Sequence, residues 1–147
     1  MSMQAENKDL VRRWVKAMND RDLDALLRDV APNLVNHGAI PEAQGADGLR
    51  RIVGKVWEAM PDQRLTCEDV LADGDKVVCR VTLEGTQTGP LAFLRTPLPA
   101  TGKACKSEQI HIFRVAGGKI VEHWVGRDDI GMLRQLGHAP FANGGAK

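Results

Sequence analysis

The chain has 147 residues, 43% hydrophobic and 27% charged, the size and make-up of one globular domain able to close its own core. Its 20 basic and 19 acidic residues give a formal net charge of +1 with no block of one sign, which argues against nucleic acid or an anionic membrane as a partner. Aromatic content is 4% with no Tyr, against a stacking platform for single strands. No run nears a membrane span and the N-terminus lacks an apolar signal core, so a cytoplasmic address is expected.

Leu10, Val11, Trp14, Val15 and Met18 recur at helical spacing and predict a first helix that stops around Asn19-Asp20. Asp22 is a good N-cap for a second, short helix with Leu23, Leu26, Leu27 and Val30 on one stripe, ended by Ala31-Pro32. A short extended piece, Leu34 to His37, leads through a loop to a third helix from about Ala46 to Met60, broken by Pro61-Asp62. The period then switches to two. Arg64–Leu71 and Lys76–Glu84 flank an Asp73-Gly74 hairpin turn, and Val77, Cys79, Val81 and Leu83 share one face. Gly85 to Gly102 is a long Gly-, Pro- and Thr-rich excursion of the kind that forms lids and mouths. Cys105–Val115 and Lys119–Gly126 flank a second tight turn at Gly117-Gly118. Asp128 or Asp129 then caps a short helix closed by Gly137, and the small, polar tail Ala142–Lys147 is expected to fray. Helices first and antiparallel strands after make an α+β domain, with the helices covering one face of a bent sheet around a pocket for one small organic molecule.

Three cysteines, Cys67, Cys79 and Cys105, form no CxxC pair; they read as buried thiols, with neither a disulfide framework nor a zinc site. GxSxG, P-loop, HExxH and strand-borne GxGxxG patterns are absent, so side-chain acid–base chemistry without metal or cofactor is the expected chemistry. On the strand Cys105–Val115, Gln109 and His111 point the same way, with Phe113 and Val115 continuing that face as apolar wall. A polar pair on an apolar face needs partners, which either a ligand or the core can supply. His37 alone reads as a structural or exposed histidine rather than a functional one. On the last strand His123 and Val125 share one face, Glu122 and Trp124 the other; the register across Gly117-Gly118 decides which set joins His111. His123 is taken as an exposed strand residue. Asp128 and Asp129 suit helix capping, although a carboxylate at a strand end near a pocket mouth also suits a general base. Trp57 and Met60 stand at core spacing, on a helix positioned to lend them to a pocket wall.

An ordered set of segments carries a resemblance. It comprises Met60-Pro61-Asp62, Asp73-Gly74-Asp75-Lys76-Val77, Gly85-Thr86-Gln87-Thr88-Gly89, Pro99-Ala100-Thr101-Gly102 and Gly118-Lys119-Ile120-Val121-Glu122-His123-Trp124. Together they resemble the SnoaL-like polyketide cyclase (ester cyclase) family of the nuclear-transport-factor-2-like superfamily, over a core of about residues 7–137 of a single domain spanning 1–147. The resemblance implies a cone-shaped barrel of strongly curved antiparallel sheet wrapped by three N-terminal helices, with a central pocket, in a homodimer formed through the outer sheet face. It implies intramolecular aldol ring closure of a small hydrophobic polyketide-like substrate, with no cofactor and no metal. His111 and Asp128 are then the expected catalytic residues, and His37, Gln109, Trp57, Asp62 and Trp124 the expected substrate-binding ones. Family cyclases carry Asp directly after the tryptophan as the presumed base; here that position is Val125, and Gln87 stands where many relatives have His. Three readings follow from the loss: a cyclase using Asp128 or Asp62, a cofactor-less hydroxylase of an aromatic polyketide, or a non-catalytic binding domain.

Overall fold

A computed structural model describes residues 2–92 and 96–140. The tail Ala142–Lys147 lies outside the described residues.

The N-terminal helix α1 (Met3–Asp20) starts at Ser2, whose hydroxyl accepts from the Ala5 N–H, and ends at Arg21 in the left-handed region at φ 57°. A non-glycine residue there is uncommon and needs compensation. The Arg21 guanidinium supplies it by donating to the carbonyls of Met18, Asn19, Pro61 and Gln63, which ties the end of α1 to the start of the sheet. Asn19 adds a second tie, its side chain both donating to and accepting from the Leu65 backbone at 2.9 and 2.7 Å.

Helix α2 (Leu23–Arg28) is capped by Asp22, as its sequence predicts, but stops earlier than expected. Val30, Ala31 and Pro32 belong instead to strand β1 (Val30–Asn36). A proline fits a strand only where its missing N–H is not needed, and β1 is an edge strand. Helix α3 (Gly45–Ala59) follows a single 3₁₀ turn at Pro41–Ala43. Strands β2 (Arg64–Asp73), β3 (Lys76–Thr86), β4 (Ala104–Ala116) and β5 (Lys119–Arg127) follow, then α4 (Asp129–Gln135).

The sheet order is β1-β5-β4-β3-β2. The four consecutive strands from β2 to β5 are antiparallel, whereas β1 joins the β5 edge in parallel, so the sheet is mixed. No hairpin joins β1 to its partner, so no turn signal specifies its direction. Register breaks at Cys67/Asp69, at Arg114/Val115 and within β1 each add local bend and twist, which curl the sheet. The first of these also sets the Sγ atoms of Cys67 and Cys79 2.8 Å apart.

Into the concave face pack Leu10, Val11, Trp14, Val15 and Met18 of α1 against Val77, Cys79, Val81 and Phe113. Leu49 and Val53 of α3 close a second flank, and Phe113, at 1% exposure, sits under Trp14 at 5.2 Å between ring centroids. The excursion after β3 is pinned by Gln87. Fully buried, it donates to the carbonyls of Gly89 and Pro99 and accepts from His138 at 2.7 Å. Gln87 is therefore a loop anchor.

Candidate active site

Between α1, α3, the loop after β1 and the concave sheet lies a cavity of about 410 Å³, within the range of small-ligand sites. Its wall is mainly apolar, with Trp14, Met18, Leu49, Ile52, Val56 and Met60 among its lining residues. Against that wall stands a row of polar side chains: Gln109 and His111 from β4, His123 and Arg127 from β5, and Asn36 from β1.

The row exists because of one extra residue. Across the Gly117-Gly118 turn, Ala116 pairs with Lys119 and Val115 with Ile120, but Arg114 pairs with Glu122, leaving Val121 bulged. The slip turns Phe113 toward His123, His111 toward Val125 and Gln109 toward Arg127. Since opposed residues of an antiparallel ladder share a face, His123 joins His111 in the cavity. The expectation that His123 is an exposed strand residue is thus overturned. An unbulged hairpin would instead have turned Glu122 and Trp124 inward.

A continuous hydrogen-bonded chain results. The Gln109 side-chain amide lies 2.8 Å from His111 Nε2, His111 Nδ1 lies 2.8 Å from His123 Nε2, and His123 Nδ1 lies 2.9 Å from Asn36 Oδ1. Asn36 is itself fixed: its backbone exchanges hydrogen bonds with the Gln44 side chain at 2.8 and 2.7 Å, and its Nδ2 faces the Ala43 carbonyl. Trp14 packs on both imidazoles at 5.5 and 6.2 Å between ring centroids.

Burial among these rings pushes the His111 pKa down to about 3, helped by His123 and the Arg127 charge. Burial pushes His123 down to about 4, helped by Arg127 and His37. Both rings are therefore neutral at ordinary pH, because a charged imidazole would lose its hydration without a carboxylate to replace it.

The other predicted residues are placed elsewhere. Trp124 is on the outer face of the sheet, where the His37 ring stacks on it at 4.5 Å and 2°. His37 borders the cavity, but its Nε2 turns to Glu122 at 2.8 Å, and this bond, with Arg114, holds the Glu122 carboxyl below its usual range. Asp62 accepts from the Thr86 N–H at 2.8 Å, which lowers its pKa and clamps the start of β2 to the end of β3. Asp128 caps α4, accepting from the Gly131 N–H at 2.9 Å. Neither carboxylate lines the cavity. Asp129 does, at the rim, ion-paired to Arg127 at 3.1 Å. Trp57 is partly buried against the core behind the cavity-lining Val56, and its indole nitrogen is buried without a hydrogen-bond partner among the described residues. Among the described residues, no three His, Cys, Asp or Glu side chains converge to hold a metal ion.

Sequence reasoning brought Gln109 and His111 to one face and missed Asn36, His123 and Arg127. Asn36 adjoins the flagged His37, one step out of phase; only the register across the bulge reveals the other two.

The chain matches the family model described as SnoaL-like polyketide cyclase over residues 8–136. It is similar to the aklanonic acid methyl ester cyclase DnrD of Streptomyces peucetius, at 32% identity over 133 residues, covering 88% of this chain and 89% of DnrD. Among solved structures it is similar to TsrD from Streptomyces laurentii, with a TM-score of 0.80 and 28% identity over 93% of this chain and 98% of that one. It is also similar to AclR from Streptomyces galilaeus, a candidate hydroxylase, with a TM-score of 0.79 and 26% identity over 93% of this chain and 84% of AclR. With the helix-covered curved sheet and its central cavity, these matches establish that the chain belongs to the SnoaL-like polyketide cyclase family.

Proposed function

We propose that this protein is a cytoplasmic enzyme that closes a ring in a small polyketide ester by intramolecular aldol condensation, without metal or cofactor. The observation that carries the reading is the Gln109–His111 pair, set with Arg127 in a mainly apolar cavity of about 410 Å³. An aldol closure needs one flexible chain held with its nucleophilic carbon against its ketone, a proton acceptor at that carbon, and donors where negative charge develops. The apolar wall folds the chain, and the Gln109 amide and Arg127 guanidinium offer donors to the carbonyl oxygens. The family membership and the named activity of DnrD support the same chemistry.

The likeness to AclR and the apolar Val125 opposite His111 favour a second reading, oxygenation of a reduced aromatic polyketide. Mass-resolved chromatography with aklanonic acid methyl ester as probe separates the two. A new product of unchanged mass is expected. A product heavier by one oxygen, formed only with a reductant and air, would replace the cyclase with the hydroxylase. Saturable binding without product would leave a binding domain.

The homodimer belongs to the same proposal. Leu71, Val78, Ile112 and Trp124 lie in one ladder row across the outer face of the sheet, with Leu71 65% and nearby Ile110 49% exposed. A second copy covering this row is the expected state in sedimentation analysis, and Ile110→Asp is expected to shift it to monomer.

A further inference from the structure

The three-link chain Gln109–His111–His123–Asn36 contains a proton deficit. Three hydrogen bonds need three protons, and two neutral imidazoles carry two. With amide oxygens at both ends, one link has no hydrogen. Either one imidazole is charged or one amide presents its NH₂ group. Among the described residues, nothing facing the pair stabilises a charge: Trp14 and Phe113 pack on the rings, Val125 lies opposite His111, and the nearby ionised side chain is the cationic Arg127. The amide is therefore the one to turn, and the two amides are not equal. Asn36 Nδ2 faces the Ala43 carbonyl at 3.5 Å, so turning it would set two oxygens against each other. Gln109 makes no other side-chain hydrogen bond among the described residues, so it turns at no cost. Amide orientation and tautomer are assigned from such networks.

The direction of every proton then follows. Asn36 Oδ1 accepts from His123 Nδ1–H. His123 Nε2 is left bare and accepts from His111 Nδ1–H. His111 Nε2 is left bare, and Gln109 donates to it. We propose that Asn36 and His123 are positioning residues that hold His111 in the tautomer with Nε2 unprotonated, and that this Nε2 is the base of the reaction. The proposal rests on the cyclase reading for its chemistry and on the hydrogen-bond count for its geometry. Among the described cavity-lining residues Asp129 is the sole carboxylate, and Arg127 already holds it at the rim.

The step balances. A substrate carbonyl takes the Gln109 N–H and uncovers Nε2. Its lone pair takes the proton from the carbon next to the ester carbonyl, and the C–H electrons become the enolate. The enolate carbon bonds to the ketone carbon, whose oxygen becomes an alkoxide and recovers the proton from Nε2–H. Nothing is oxidised or lost, so product and substrate have equal mass. During the step His111 is an imidazolium held between His123 Nε2 and the enolate, and the chain has its full complement of protons.

The test reads the tautomers directly, by long-range ¹H–¹⁵N correlation of the imidazole rings in the wild-type protein. Both His111 and His123 are expected as the Nδ1–H form, which is the less common form of free histidine. Finding Nε2 protonated on His111 overturns the proposal, whether or not the protein cyclises anything. Finding the expected tautomers in a protein that turns over no polyketide ester upholds the positioning chain and removes the cyclase. With turnover, His111→Phe should lower kcat by ~10²–10⁴-fold, the usual worth of a general base. Asn36→Leu, which removes the terminal acceptor, should lower kcat by ~10–100-fold, the usual effect of a residue that orients an imidazole from behind, with little change in KM. A rate loss in Asn36→Leu with an unchanged His111 tautomer would reduce Asn36 to a structural residue and refute its part.

Discussion

Lowering the pH from 7.5 to 5 should destabilise this protein far more than its nearly balanced charge suggests. The cause is the pair His111 and His123, with folded pKa values of about 3 and about 4 against an ordinary 6.5. In the unfolded chain both rings take a proton as the pH falls through 6.5; in the folded chain neither does until about 4. The unfolded state therefore binds more protons throughout that window, and stability falls as pH falls. At pH 5 each ring is about 1.5 pH units below its unfolded value, which at ~1.36 kcal/mol per unit is about 2 kcal/mol per ring and at most about 4 for both. That is a large part of the ~5–15 kcal/mol that typically holds a domain folded. The window is clear of the carboxylates held low in the fold, because Asp62 and Glu122 lose their contribution only below their ordinary 3.8 and 4.5. Urea unfolding at pH 7.5, 6.5, 5.5 and 5 measures the effect; with an m-value of ~2 kcal/mol/M, the midpoint should drop by up to about 2 M. In the double variant His111→Gln/His123→Gln most of that slope should vanish. A wild-type midpoint that stays within about 0.3 M over this range would refute the buried neutral pair.

Val125→Asp places a carboxylate directly opposite His111 and should raise its pKa, shown by ring titration in NMR; an unmoved His111 would contradict the pairing of the two positions across the β4–β5 ladder. Gly89→Ala would set a Cβ 2.2 Å from the Glu58 carbonyl oxygen, a backbone atom that cannot yield cheaply, and should cost about 1–3 kcal/mol in denaturant unfolding. Phe113→Ala, removing a ring 1% exposed beneath Trp14, should cost about 3–5 kcal/mol and disturb the packing behind both histidines, seen as a lower thermal midpoint.

The helices and hairpins were legible because local physics writes them. The stripe from Leu10 to Met18 keeps its period, Asp22 caps as its side chain dictates, and Asp73-Gly74 and Gly117-Gly118 turn where glycine permits a positive φ. The face shared by Gln109 and His111 follows from strand alternation alone, and it lines the cavity. Three matters belonged to the tertiary structure. The direction of β1 depends on which edge it meets, and no residue between Val30 and Asn36 encodes that. Asp62 stayed a candidate until the Thr86 N–H, from a distant strand, claimed it, whereas Asp128 takes the local cap that its sequence allowed. Above all, the bulge at Val121 decides whether His123 or Trp124 faces His111. A single inserted residue inverts a strand's two faces, and its free energy is set by how well each face then packs. Here the curl of the sheet and the Asn36 acceptor from a distant strand reward the inward histidine, while stacking on His37 and the ion pair of Arg114 with Glu122 reward the outward face. Those rewards come from residues far apart in sequence, so the strand that carries the site could not by itself announce which of its faces would do so.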